Sequence, residues 1–99
     1  MRTPKLTETE IASSLLIVPE WRIDSDSLLR RTFVFPGFLA AISFVNRVAE
    51  AAERADHHPD IDVRWNKVTL ALTTHDSGGL TANDFALAKE ADGLYNGPT

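Results

Sequence analysis

From Phe38 to Ala55 the chain carries no glycine and no proline, and Pro36-Gly37 stands immediately before this stretch. Proline is tolerated at a helix start but not within one, so the pair predicts a helix from about Gly37 to Ala55. Phe38, Ile42, Val45, Ala49 and Ala52 follow one another by three or four residues, with Val48 beside them. That spacing predicts one apolar stripe, which must be buried against a second layer. The flanks supply the layer, because they alternate instead of repeating at helical spacing. Before the helix, Trp21-Arg22-Ile23-Asp24 predicts a short strand and Ser25-Asp26-Ser27 a turn. Leu29, Arg31, Phe33 and Phe35 share one parity and predict a second strand, paired with the first as a hairpin. After the helix, Val63 and Trp65 alternate with Asp62 and Arg64 in a third strand. Asn66-Lys67 predicts a two-residue turn, and Val68, Leu70 and Leu72 alternate with Thr69, Ala71 and Thr73 in a fourth strand.

Two shorter helices close the ends. Thr7 and Glu10 have the spacing of a capping box, Ile11, Leu15 and Leu16 continue at helical period, and Pro19 stops the segment. This predicts a helix from about Glu8 to Leu16. Thr81 and Asp84 repeat the box, with Asp in place of Glu, and Asp84, Leu87, Ala88, Ala91, Leu94 and Tyr95 share one face of a final helix. Ser77-Gly78-Gly79 reads as a flexible connection before it, and Gly93, Gly97 and Pro98 predict fraying after Asp92. The order is α-β-β-α-β-β-α. It predicts an α+β fold, a two-layer sandwich of a four-stranded antiparallel sheet with three helices on one face, in a single domain over residues 1–99. Such a sheet has edges that need covering or pairing, and 99 residues is close to the size where association helps the core. A homodimer or homotetramer is expected.

Whole classes of function drop out on composition. There is no cysteine, which removes disulfides, thiolate zinc sites and cysteine nucleophiles together. A net charge of -4 argues against nucleic acid as a partner, since phosphate binding rests on lysine and arginine. Met1-Arg2-Thr3-Pro4-Lys5 leads into acidic residues and not into an apolar run, and no segment reaches membrane-spanning length. A cytoplasmic location is expected.

The chemistry concentrates between Glu53 and Asp84. All three histidines lie there, as His57-His58-Pro59 and His75, together with Trp65. Imidazole is the side chain most easily used for proton exchange near neutral pH. The spaced ligand pairs of a zinc site are missing, and no serine sits in a nucleophile elbow. General acid–base chemistry without a cofactor or metal is what remains. His57 and His58 are adjacent, so in an extended segment their rings point apart. His75 falls on the parity opposite to the apolar set of the fourth strand, which predicts an exposed or pocket position. Glu53 lies in the last turn of the long helix, where the dipole disfavours a carboxylate. Trp65 could offer an apolar face to a flat heterocycle.

Glu53, His57-His58-Pro59, Trp65, His75 and Asp84 resemble the signature of the pterin-4a-carbinolamine dehydratase family. The spacing agrees, with three residues between Glu53 and His57, nine between Trp65 and His75, and eight between His75 and Asp84. The pattern Phe33, Phe35, Phe38, the run Trp65-Asn66-Lys67-Val68, and Thr74-His75-Asp76 followed by Gly79-Leu80 resemble the family as well. The resemblance covers about Trp21 to Asp92. It implies the sheet-and-helix order derived above, dimers or tetramers, and removal of water from 4a-hydroxytetrahydropterin to give quinonoid dihydropterin. The family's active-site residues fall on His57, His58, His75 and Asp84. Glu53, His57, Pro59 and Trp65 fall on positions expected to hold the pterin. The implied chemistry sets His58 and His75 nearest the reaction, with His57 shaping the ring and Asp84 orienting an imidazole. Asp60, Ile61, Asp62, Val63 and Arg64 lack the aromatics of animal members. The alternative is a non-catalytic interaction module of the same fold, of the transcriptional dimerisation cofactor or Rubisco assembly chaperone type. Retention of every signature position favours the enzyme.

Overall fold

In the computed structural model, which describes residues 3–95, both predicted capping boxes form. Glu10 Oε1 accepts the Thr7 N–H at 2.8 Å and Thr7 Oγ1 accepts the Glu10 N–H at 3.2 Å, starting α1 (Glu8–Leu15). The chain continues through β1 (Arg22–Ile23), β2 (Leu29–Val34), α2 (Phe38–Ala55), β3 (Asp60–Arg64), β4 (Lys67–Leu72), a 3-10 turn (His75–Ser77) and α3 (Ala82–Leu94). The α+β class and the order of elements are as expected. Both hairpins form, and pairing of β2 with β4 joins them into one antiparallel sheet of order β1-β2-β4-β3. Register puts Val68 between Phe33 and Val63, and Leu29 beside Leu72, on the face that the helices cover. The opposite face is polar, with the Thr32 and Thr69 hydroxyls 2.8 Å apart.

Four local expectations are corrected. First, the long helix turns a different face inward. It buries Ala41, Phe44, Val48, Ala51 and Ala52, whereas Phe38 is exposed and Ile42, Val45 and Ala49 flank the contact. Phe44 decides this, because its ring sits 4.7 Å from that of Phe33 and 5.1 Å from that of Phe35. Aromatic pairs add about 0.5–1.5 kcal/mol beyond area burial, and the alanines around Phe44 let the helix approach the sheet.

Second, the third strand ends at Arg64 and the turn is Trp65-Asn66, one residue earlier than Asn66-Lys67. Asn66 is tied to the end of β2. Its carbonyl accepts the Phe35 N–H at 2.8 Å and its Nδ2 donates to the Phe35 carbonyl at 3.0 Å. The left-handed position of the turn therefore falls to Trp65, at φ 52°, and its ring is 69% exposed. Third, Ser77-Gly78-Gly79 is not a loose connection. Gly78 closes the 3-10 turn at φ 76°, and Thr74 and Gly79 exchange two backbone hydrogen bonds.

Fourth, the first strand shrinks to two residues because Trp21 turns into the core, where its Nε1 donates to Asp92 Oδ1 at 2.8 Å. Arg31 donates to the same oxygen at 2.6 Å, and its guanidinium lies 4.3 Å above the Phe33 ring. These contacts hold the last turn of α3, so the helix continues to Leu94 instead of fraying after Asp92. Gly97 and Pro98 lie outside the described residues. Among the described residues no helix is long and apolar enough to cross a membrane.

Candidate active site

Three chain turns meet at one end of the sheet. The first is the exit of α2. Asp56 caps it in the left-handed region at φ 50°, and the His57 N–H reaches back to the Ala52 carbonyl at 3.1 Å. This 6→1 closure is the Schellman arrangement, with an aspartate in the place glycine commonly takes. It swings His57 off the helix axis, and Pro59 keeps His58 extended. The second turn is the exit of β4, where Thr73 and Thr74 lead into the 3-10 turn that begins at His75. The third is the start of α3, where Asp84 occupies the third helical position of the Thr81 capping box. A carboxylate in a first helical turn is favoured by the backbone dipole.

Between these turns lies a cavity of about 420 Å³ lined by Thr3, Asp56, His57, Thr74, Asp76, Ser77 and Asn83. A second lobe of about 260 Å³ shares Asp56, His57, Thr74 and Asp76 and adds His58, Thr73 and His75. Together they have the size of a small-ligand site. All three histidines thus reach one concave surface.

Asp84 is fully buried and is the hub of the polar contacts. Its Oδ1 stands 2.6 Å from His57 Nε2. Its Oδ2 accepts the Thr81 N–H at 2.9 Å and the Thr74 hydroxyl at 2.9 Å. Three donors on two oxygens suit an ionised, acceptor-only carboxylate. His57 Nε2 must then carry the proton on that bond, which leaves Nδ1 as the lone-pair nitrogen. His58 Nε2 pairs instead with Glu53 Oε2 at 2.5 Å, on the exposed side. His75 is exposed, and its ring has no hydrogen-bond partner among the described residues. No three His, Asp or Glu side chains among the described residues are grouped to hold a metal ion.

The expected site residues therefore divide. His57, His58 and His75 line the cavity, and Asp84 stands directly behind His57. Glu53 contacts the site only through His58. Pro59 is not in the cavity wall, although it fixes the backbone of His58. Trp65 is separated from the cavity of its own chain by the whole of β3, about 17 Å of strand at 3.3 Å per residue. Sequence reasoning passed over Thr74 as a functional residue, together with Asp56, Asp76, Ser77 and Asn83. Its one available signal was position, since Thr74 precedes His75 at the strand end.

The comparisons with known proteins identify the fold and the family. The chain matches the family described as Pterin 4 alpha carbinolamine dehydratase over residues 4–94. It is 55% identical, over 90% of its length and 95% of the relative, to a provisionally named pterin-4-alpha-carbinolamine dehydratase of Chloroflexus aurantiacus. A provisionally named counterpart from a Picosynechococcus species is 53% identical, over 91% of this chain and 97% of that one. Among solved structures, a transcriptional coactivator/pterin dehydratase from Brucella melitensis superposes with a TM-score of 0.89 at 30% identity, covering 93% of this chain and 99% of that one. A pterin dehydratase-like protein identified as a RuBisCO assembly factor in the alpha-carboxysome shares the fold, with a TM-score of 0.66 at 22% identity, over 79% and 92%. The chain belongs to the pterin-4-alpha-carbinolamine dehydratase family.

Proposed function

We propose that residues 1–99 act as one dehydratase domain, in the cytoplasm and without a cofactor, that removes water from 4a-hydroxytetrahydropterin to give quinonoid dihydropterin. The hydrogen bond from His57 to the buried Asp84, at the wall of a cavity that also receives His58 and His75, is the observation that carries this reading. The reaction breaks the C4a–O bond and removes the proton on N5, and a C4a=N5 double bond forms. It needs an acid at the departing hydroxyl and a base at N5. His57 is assigned as the base, because Asp84 orients its ring and leaves Nδ1 to receive the proton. His75, whose nitrogens are uncommitted among the described residues, is assigned to protonate the hydroxyl, which leaves as water. His58, held by Glu53, is assigned to the ring of the pterin. The roles of His57 and His58 are thereby exchanged relative to the expectation from sequence.

A homo-oligomer belongs to the same proposal. β3 is a sheet edge, and Arg64 and Lys67 flank its two-residue turn as a hydrogen-bonded pair. By alternation, Ile61 and Val63 then turn their N–H and C=O groups outward. Antiparallel pairing of Ile61 with Val63 of the partner subunit would satisfy four of these groups' hydrogen bonds and set Asp60 against Arg64 of the partner subunit. That register also brings Trp65 beside Pro59 of the partner subunit, next to its histidines. It is the route by which Trp65 would reach substrate.

The test is dehydration of chemically generated 4a-hydroxytetrahydropterin, followed by ultraviolet absorbance, with wild type beside His57→Gln and His75→Ala. Acceleration over the spontaneous reaction, with each variant slower by on the order of 10²–10⁴, is the expected result. A folded wild type that gives no acceleration would leave the interaction module as the function.

A further inference from the structure

The carboxylate of Asp84 is supported from behind by two hydroxyls that no functional assignment above uses. Thr81 Oγ1 accepts the Asn83 backbone N–H at 3.2 Å and lies 2.8 Å from Thr74 Oγ1, which in turn is 2.9 Å from Asp84 Oδ2. A backbone N–H can only donate, and a hydroxyl has one proton. With Asp84 an acceptor, Thr74 spends its one proton on Oδ2 and can only accept from Thr81, and this sets the direction of the row. Thr81 accepts from Asn83 and donates to Thr74, Thr74 donates to Asp84, and no buried side-chain nitrogen or oxygen is left without a partner among the described residues. Thr81 is itself fully buried, so water does not compete at its end of the row.

Direction matters because Asp84 faces the other way as well. A carboxyl proton on Oδ2 would meet the Thr81 N–H and the Thr74 proton head-on, so the row favours the ionised carboxylate, which accepts on Oδ1 as well. His57 must then present Nε2–H to Asp84, and Nδ1 is the nitrogen left to act in the cavity.

We propose that Thr74 is a positioning residue whose hydroxyl, aligned by Thr81 and the Asn83 amide, holds His57 in the Nε2–H tautomer that makes Nδ1 available. This rests on the dehydratase reading only for its consequence on rate. The tautomer itself is a property of the resting protein. Thr74→Val keeps the shape of the side chain and deletes the proton, and Thr74→Ser restores it. Loss of one hydrogen bond to a charged group corresponds to roughly a ten- to hundredfold drop in kcat, with KM unchanged because Thr74 acts through Asp84 and not on the substrate. In histidine labelled with the nitrogen isotope visible to NMR, the wild-type His57 ring should show one tautomer with the proton on Nε2. Thr74→Val should show a mixture, and Thr74→Ser the wild-type pattern.

Wild-type His57 with the proton on Nδ1 would overturn the proposal. So would a Thr74→Val protein with both wild-type ring signals and wild-type kcat. If the ring signals follow the hydroxyl while no protein accelerates dehydration, the positioning role stands and the dehydratase reading falls. Should Thr74→Val not fold, the wild-type spectrum decides. A slowly exchanging Thr74 hydroxyl proton beside the Nε2–H tautomer supports the row, and a freely exchanging one overturns it.

Discussion

Asp84 and Asp24 each organise their surroundings by accepting from three donors at once, at very different depths. Asp84 is fully buried, and removing its charge should separate folding from chemistry. An Asp84→Asn variant keeps the shape of the capping residue, so the fold should persist with a loss of about 1–3 kcal/mol from imperfect donor pairing. Its amide oxygen and nitrogen cannot both accept, and the preferred His57 tautomer is lost. Turnover should fall on the order of 10²–10⁴-fold, a far larger effect than the change in stability, as thermal melts beside the absorbance assay would show. Asp24 is the partly exposed counterpart. Its Oδ1 accepts the Leu28 and Asp26 amides at 3.0 and 2.9 Å, and Oδ2 pairs with Arg30 Nε at 2.6 Å. The Leu28 amide, followed by Arg30, holds its pKa below the ordinary value of 3.8. A pKa lower in the folded chain than in the unfolded one means stabilisation that is present above about pH 4 and is lost as pH falls through the folded value. Asp24→Asn should therefore be less stable than wild type at neutral pH, and denaturant midpoints of the two should converge at strongly acidic pH.

Between elements, the junction of β2 with α3 is held by a polar contact set into aromatic packing. Arg31 lies on the inward parity of β2 yet is an ion-pair partner, with Asp92 at 2.6 Å, the Phe33 and Tyr95 rings at 4.3 and 5.1 Å, and Trp21 bonded to the same carboxylate. Side-chain exposures of 16% for Arg31 and 25% for Asp92 place the pair between the surface and the interior. Asp92→Ala would strand the guanidinium and the indole N–H together. A loss of about 2–4 kcal/mol is expected in chemical denaturation, with amide exchange in the last turn of α3 rising first. The pair does not touch the cavity, so kcat should hold at temperatures where the variant is folded. α2 illustrates the same scale from the apolar side. Its sequence offers two adjoining apolar stripes, and the ring of Phe44 between Phe33 and Phe35 selects one of them.

For the molecule as a whole, the open edge of β3 is the feature that bears on assembly. Ile61 and Trp65 are both exposed there, and Trp65 occupies a left-handed backbone position that disfavours bulky side chains. On the proposed pairing of β3 edges, Ile61→Lys should sediment as a folded monomer where wild type sediments as an oligomer. Trp65→Gly should relieve the turn and raise monomer stability by about 1 kcal/mol while raising KM for the pterin. A variant with unchanged KM would remove Trp65 from the substrate site. What the sequence determined by itself was whatever depends on near neighbours in the chain. Thr7 with Glu10 and Thr81 with Asp84 make capping boxes because those bonds close within one turn, and alternation along Val68–Leu72 marks a strand because side chains alternate at every residue. The grouping of His57 and His58 with His75 was legible only through the family resemblance in their spacing, since imidazoles separated by two strands carry no local sign of meeting. Tertiary structure alone decided which stripe of α2 faces the sheet, that Asn66 hands the strained turn position to Trp65, and that Asp84 meets His57 with Thr74 behind it. Each of these is a contact between residues distant in the chain, and its energy exists only once the sheet has brought them together.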